Sequence, residues 1–227
     1  MKERKKLSET TVWVETTVPE LDTKDWRGET IRLKDAPAIK NTKTGKIGFD
    51  PIQLTYAQMV QIAKDLGVEP RDIPLLLTLN AKPPRFFKES KLYARYHLNK
   101  TLFYVWKALE KQGLADALPR DEFGAARAGP VPKNLKADAS RLEQMDIVKV
   151  ERHEWGEGPN KTSTLTTLTE KGAKLSAELA ERVGEPFISI IAREKQDIFI
   201  LDPETLKERV HRDFSEYRKT YTELDQE

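Results

Sequence analysis

Cysteine is absent from all 227 residues, which excludes disulfides, thiolate metal sites and cysteine nucleophiles. Histidine is scarce: His97, His153 and His211 are far apart and none stands in an H-x-x-x-H or H-E-x-x-H setting, so neither a metal centre nor a cofactor is expected. "KTGKIG" lacks the spacing of a phosphate loop, no G-x-S-x-G elbow occurs, and the chain is expected not to be an enzyme. No apolar run approaches the roughly 20 residues of a membrane span. The opening "MKERKKLSETT" also lacks the apolar stretch of a signal peptide, so a cytoplasmic protein with no membrane partner is expected. An excess of one charge is missing too. Lys+Arg number 39 against 37 Asp+Glu, so any basic surface must arise from local sorting of charge.

What is present is a highly charged chain, 33% Asp, Glu, Lys and Arg, long enough to bury a core in one large or two small domains. Residues 10–18 and 29–35 are rich in β-branched side chains and read as short strands, and "AIKNTKTGKIGF" reads as a hairpin with a polar tip. In "LTYAQMVQIAKDLGV" the residues Leu54, Met59, Ile62, Ala63 and Leu66 share a helical face, with Thr55 suited to capping and Gly67 just past the end. A second short helix follows in "EPRDIPLLLTLNA", and Pro83 and Pro84 mark a boundary. Helical spacing returns with Leu98, Leu102, Val105, Trp106 and Leu109, ending at Gly113, and "RDEFGAA" reads as one more turn. Three segments are expected: a mixed α/β domain over 1–84, a second domain over 85–184, and a tail over 185–227. In the tail, "PFISIIAREKQDIFIL" suits a helix or a hairpin turning at Lys195 and Gln196. Val210, Phe214, Tyr217, Tyr221 and Leu224 then step by four and three as the seam of a long helix, packed on its own core or on a second subunit.

The densest pattern lies between Pro130 and Gly172. A helix over 132–145, with a proline in its first turn, places Leu135, Ala139, Leu142 and Met145 on one stripe at about 100° per residue. The opposite face then carries Lys133, Lys136, Ala137, Ser140, Arg141 and Gln144, with Asn134 at its start. Small, hydrogen-bonding and cationic side chains on one face are what a helix needs in a major groove. Two strand-like runs, "IVKVERHEW" and "STLTTLT", follow around the polar "GEGPNK". Arg152, His153 and Lys161 in this ribbon are placed to meet phosphates, and Thr169 caps a further helix. Upstream, Lys82, Arg85, Lys88, Lys91 and Arg95 alternate with Phe86, Phe87, Tyr93 and Tyr96, a composition suited to a basic arm along nucleic acid.

The run from Leu135 to Leu179 resembles the second half of winged-helix regulators of the MarR and PadR type. Arg141, Leu142 and Glu143 match the end of the recognition helix, Ile147 and Val148 the start of a strand, and Leu168, Thr169 and Gly172 the turn leaving the wing. The resemblance implies a central winged-helix domain; with the strand-rich N-terminal segment, which has no counterpart in those regulators, and the heptad-patterned tail, the expected protein is α+β and mostly helical, with a strand-containing N-terminal domain and a C-terminal dimerisation-type helix. The resemblance also implies a dimeric transcriptional regulator that binds double-stranded DNA. Lys133, Asn134, Lys136, Ser140, Arg141 and Gln144 would face the groove, and Arg152 and Lys161 the phosphates. Two such helices about 34 Å apart would read an inverted repeat. The same fold also serves contacts between proteins, so a module of a transcription, replication or antitoxin complex is the second expectation.

Overall fold

The β-branched residues near the start build one long antiparallel hairpin where two short strands were expected. The structure is a computed structural model and describes residues 13–82, 95–126, 129–154 and 162–217. β1 (Trp13–Lys24) pairs with β2 (Thr30–Asn41), and β3 (Ile47–Gly48) adds to the other edge of β2 through the polar turn read from the sequence. Asp25 organises the first turn. Burial opposes its charge, yet the Arg27 side chain at 2.8 Å and the N–H groups of Glu29 and Arg27 hold its carboxyl below the usual range. α1 (Pro51–Asp65) is capped by Asp50, which accepts the Ile52 N–H at 2.8 Å. Thr55 lies one turn inside that helix and donates to Pro51 O at 2.8 Å, so it is not the cap.

The chain divides into two compact units, Met1–Gln58 and Met59–Glu227. In the second, α2 (Asp72–Asn80) and α3 (Arg95–Lys111) precede a 3₁₀ turn (Ala115–Ala117) and the two-residue strands β4 (Phe123–Gly124) and β5 (Val131–Pro132). Then come α4 (Leu135–Gln144), the hairpin of β6 (Val148–Glu154) and β7 (Thr162–Leu168), α5 (Glu170–Val183), α6 (Phe187–Phe199), α7 (Pro203–Asp213) and a last 3₁₀ turn (Ser215–Tyr217). Fold class is therefore α+β, with seven α-helices and small antiparallel sheets among the described residues. None of those helices is long and apolar enough to cross a membrane.

α2 explains why the division does not fall at Pro83 and Pro84, which lie outside the described residues. Its sequence is apolar on every side, and such a helix is stable only when surrounded. Asp72 through Leu79 are all buried, and the helix packs against α3, α5, α6 and β7. α3 in turn lies along α6, so the segment that also suited a hairpin is a helix, with Lys195 wholly buried inside it.

Three expectations are corrected. α4 begins at Leu135, because Val131 and Pro132 instead pair with Phe123 and Gly124, and the Lys133 N–H reaches Glu122 O at 2.9 Å. "RDEFGAA" accordingly holds strand β4, with no helical turn. The tail does not form a long dimerisation-type helix over its described length: α7 stops at Asp213, and its seam closes on the chain's own core. Val210 is wholly buried, and the Phe214 and Tyr217 rings each lie 4.9 Å from that of Phe103. Tyr221 and Leu224 lie outside the described residues.

Two lysines are sealed in this core. Lys100 Nζ donates to Pro130 O at 2.8 Å, and Lys195 Nζ to Leu79 O at 3.3 Å and also to Ala81 O. Gly129, at φ 88°, lets the chain pass over the first of them. A Cβ there would sit 2.6 Å from Val210 Cγ1 and 3.3 Å from Lys100 Nζ. Burial lowers Lys100 to about 7 and Lys195 to about 8. In the unfolded chain both titrate near ~10.4. Above the folded values the unfolded state binds more protons, so these groups make stability rise with pH from about 7 to about 10 and add no slope below that window. The urea midpoint of the protein should therefore climb more steeply across this window than that of Lys100→Met, and equal slopes would reject the assignment.

Candidate nucleic-acid interface

Alanine, leucine and long straight side chains make "LKADASRLEQ" a good helix former, and its ends are fixed from outside. No side chain of its own caps the start of α4. Asp121 does so from the preceding loop, accepting the Asn134 N–H at 2.5 Å and the Asn134 amide at 2.7 Å, where an anion suits the helix dipole. At the other end Asp146 adopts a left-handed φ of 57°, and the Ile147 N–H returns to Leu142 O at 2.9 Å. Glu143 Oε1 accepts the Val150 N–H at 2.9 Å and so ties β6 to the helix.

The inner face consists of Leu135, Asp138, Ala139 and Leu142, all buried. Arg141 joins it, and this corrects the expectation that it stands among the groove-facing residues. Its Nη2 lies 2.6 Å from Asp72 Oδ1 and 3.6 Å from Asp138 Oδ1, and its Nε lies 3.3 Å from Glu69 Oε1. Arg71 completes the cluster, 2.9 Å from Asp138 Oδ1 and 3.0 Å from Glu69 Oε2. Burial raises the Asp72 carboxyl despite Arg141. Burial also opposes the Arg141 charge, but Asp72, with Glu69 and Asp138, offsets it and holds the guanidinium above its ordinary value. The residues 69–72 were not associated with α4 by their sequence. Their only local signal is the three-residue spacing of Asp138 and Arg141, and the partners lie 69 positions upstream.

The outer face keeps Lys136, Ala137, Ser140 and Gln144 exposed, with Lys133 and Asn134 at its start. Lys133 pairs with Glu122 at 2.8 Å and Asn134 is held by Asp121, whereas Lys136 forms no ion pair with any described residue. Seven-residue strands β6 and β7 run in register from Val148↔Leu168 to Glu154↔Thr162, with Arg152 exposed. Lys161 lies outside the described residues, as does the side chain of His153. Of the basic arm, Lys82 and Arg95 are exposed, while Arg85, Lys88 and Lys91 lie outside the described residues. Among the described residues no three His, Asp or Glu side chains converge as a metal site would require. Compared with protein families, curated proteins and solved structures, the chain matches none.

Proposed function

We propose that this chain is a DNA-binding protein, a dimeric transcriptional regulator without catalytic activity, which uses α4 and the β6–β7 hairpin as a winged helix on double-stranded DNA. One observation carries the reading. α4 buries Leu135, Ala139 and Leu142 while exposing Lys136, Ala137, Ser140 and Gln144, and an antiparallel ribbon with exposed Arg152 follows at once. Small and hydrogen-bonding groups on the outer face permit close approach to base edges, and the two cations suit phosphates. Lys133 is available at small cost, because its pair with Glu122 is exposed and water screens it. Val210, Phe214 and Tyr217 are used within the chain, so the proposed dimer contact lies elsewhere.

The test is anisotropy titration of a pool of random duplexes over a range of salt. Native protein should bind at low salt and weaken steeply as salt rises. Lys136→Ala combined with Arg152→Ala should cost roughly tenfold in affinity and flatten the log–log salt slope by about 1.8, the counterion release of two phosphate contacts. Absence of duplex binding at low salt would end the proposal.

A second reading, a module for contacts with another protein, is favoured by one feature of the first unit. Trp13, Val14, Ile39, Ile47, Phe49 and Tyr56 are large apolar side chains left exposed there. Replacing Ile39 and Ile47 by serine should leave duplex affinity unchanged under the first reading.

A further inference from the structure

β1 stands at the edge of its sheet, in the order β1-β2-β3, and no described strand pairs with its outer side. An open edge presents a row of unpaired N–H and C=O groups, a template for a further strand. None of the 12 residues of β1 is buried. Edges are normally blunted by proline and charge, and β1 carries most of these devices at one end, in Pro19, Glu20, Asp22 and Lys24. The other end, Trp13 to Val18, has Glu15 as its single charge. Its remaining residues are aromatic or β-branched and suit extended pairing.

This end is apolar on both faces. A Cβ on Gly48 would lie 3.3 Å from Ile39 Cγ1 and 3.8 Å from Trp13 Cζ3, so Trp13 and Ile39 share one face. Val14, Lys40 and Ile47 form a row on the other, with Lys40 opposite both Val14 and Ile47. Trp13 is 49% exposed, Val14 41%, Ile39 40% and Ile47 50%. A partner laid on one face would leave the other uncovered. A strand added to the edge covers both, because its side chains alternate between the faces.

We propose that the occupant is β1 of a second copy of this chain, paired antiparallel so that the two sheets become one. A two-fold axis perpendicular to the sheet sets a strand antiparallel to its copy and joins each face to the same face of the partner. With Thr16 on that axis, Val14 meets the partner's Val18, Glu15 meets the partner's Thr17, and Trp13 lies beside the partner's Pro19. No like charges oppose each other in this register. A slip of two residues one way sets Glu15 against the partner's Glu15, and a slip the other way sets Val14 against the partner's Glu20, so charge selects the register. The stretch is thus complementary to itself, which is what selects a second copy as the occupant. It is short beside the ~800 Å² per partner of a standard interface, so the dimer is reversible, with micromolar affinity. This contact supplies the dimer of the DNA-binding reading above, but it is measured without DNA, so failure of either is seen separately.

Sedimentation equilibrium of the full chain across the micromolar range should show monomer and dimer exchanging. Thr17 is exposed, so its charge can be altered without disturbing a core. Thr17→Glu sets a carboxylate against Glu15 on each side of the axis and should weaken the dimer about tenfold, whereas Thr17→Lys creates two opposite pairs and should tighten it. Because the chain has no cysteine of its own, single replacements report proximity directly. In Thr16→Cys the two thiols meet on the axis, where antiparallel partners stand about 4.5–5.5 Å apart between Cα atoms, and oxidation should give a covalent dimer. In Glu20→Cys the same register holds the thiols far apart, and no covalent dimer should form. A monomer at every concentration, parental dimer affinity in Thr17→Glu, or oxidation of Glu20→Cys as readily as Thr16→Cys would each overturn the proposal. A different protein as the occupant predicts the first of these results. If Thr17→Glu does not fold, the two cysteine variants decide.

Discussion

Replacing Gly172 with alanine is expected to destabilise the protein by about 3 kcal/mol or more, at the upper end of what overpacking costs. Gly172 stands in the first turn of α5, and its bare Cα faces the start of β6. A Cβ there would lie 1.8 Å from Ile147 O and 2.8 Å from Ile147 C, so the obstacle is backbone and cannot rotate away. Moving Ile147 would also disturb the junction it anchors. The Thr169 N–H reaches Ile147 O at 3.1 Å, the Thr169 hydroxyl donates to Asp146 O at 2.6 Å, and Thr169 Oγ1 caps α5 through the Gly172 N–H at 3.0 Å. At about 2–4 °C per kcal/mol for a chain of this length, the melting temperature should fall by roughly 10 °C. A melting temperature within a degree or so of the parent's would show that α5 and β6 do not meet in this way.

Arg141→Ala is the second large effect, and it should appear in stability and not primarily in binding. Asp72 is wholly buried, and without Arg141 its remaining hydrogen bond is the Glu69 N–H at 2.8 Å. Stranding a buried carboxylate costs about 3–5 kcal/mol when the pair is fully dry. The Arg141 side chain is 28% exposed, so water relieves part of the penalty and a loss of about 2–3 kcal/mol is expected. Asp72→Asn should restore part of it in the double variant, since a neutral amide needs no cation, and a double-mutant cycle by urea unfolding measures that coupling. Lys136→Ala should do the opposite, leaving stability within about 0.5 kcal/mol of the parent while weakening duplex binding. An Arg141→Ala protein of parental stability that has lost duplex affinity would return Arg141 to the groove-facing set.

These two residues also mark where local pattern stops being informative. Periodicity located the helices at 51–65 and 135–144 and the strands at 148–154 and 162–168 to within a few residues, because one-sided burial imposes its own spacing on apolar positions. Thr169 was recognisable as a cap from its residue type before a helical run, whereas Gly172 was singled out only through the resemblance to winged-helix regulators. That Gly172 must be glycine was not recognisable, since the requirement comes from Ile147, 25 positions away and on another element.

α4 shows the same limit in its charges. Its amphipathic division follows from the order of residues within ten positions, so Lys136, Ser140 and Gln144 were assigned to the outer face from the sequence, and the structure leaves them exposed. Arg141 lies near the edge of that division, where a long side chain can turn either way. Its direction depended on a buried carboxylate delivered by α2 from 69 residues upstream. The heptad steps of the tail likewise required an apolar partner without naming it, and packing on Phe103 of α3 supplied one within the chain. Spacing determined which faces of this protein are apolar; the long-range docking of α2, α3 and α7 decided what each face meets, because burial energy rewards any apolar neighbour and only the three-dimensional path of the chain selects among them.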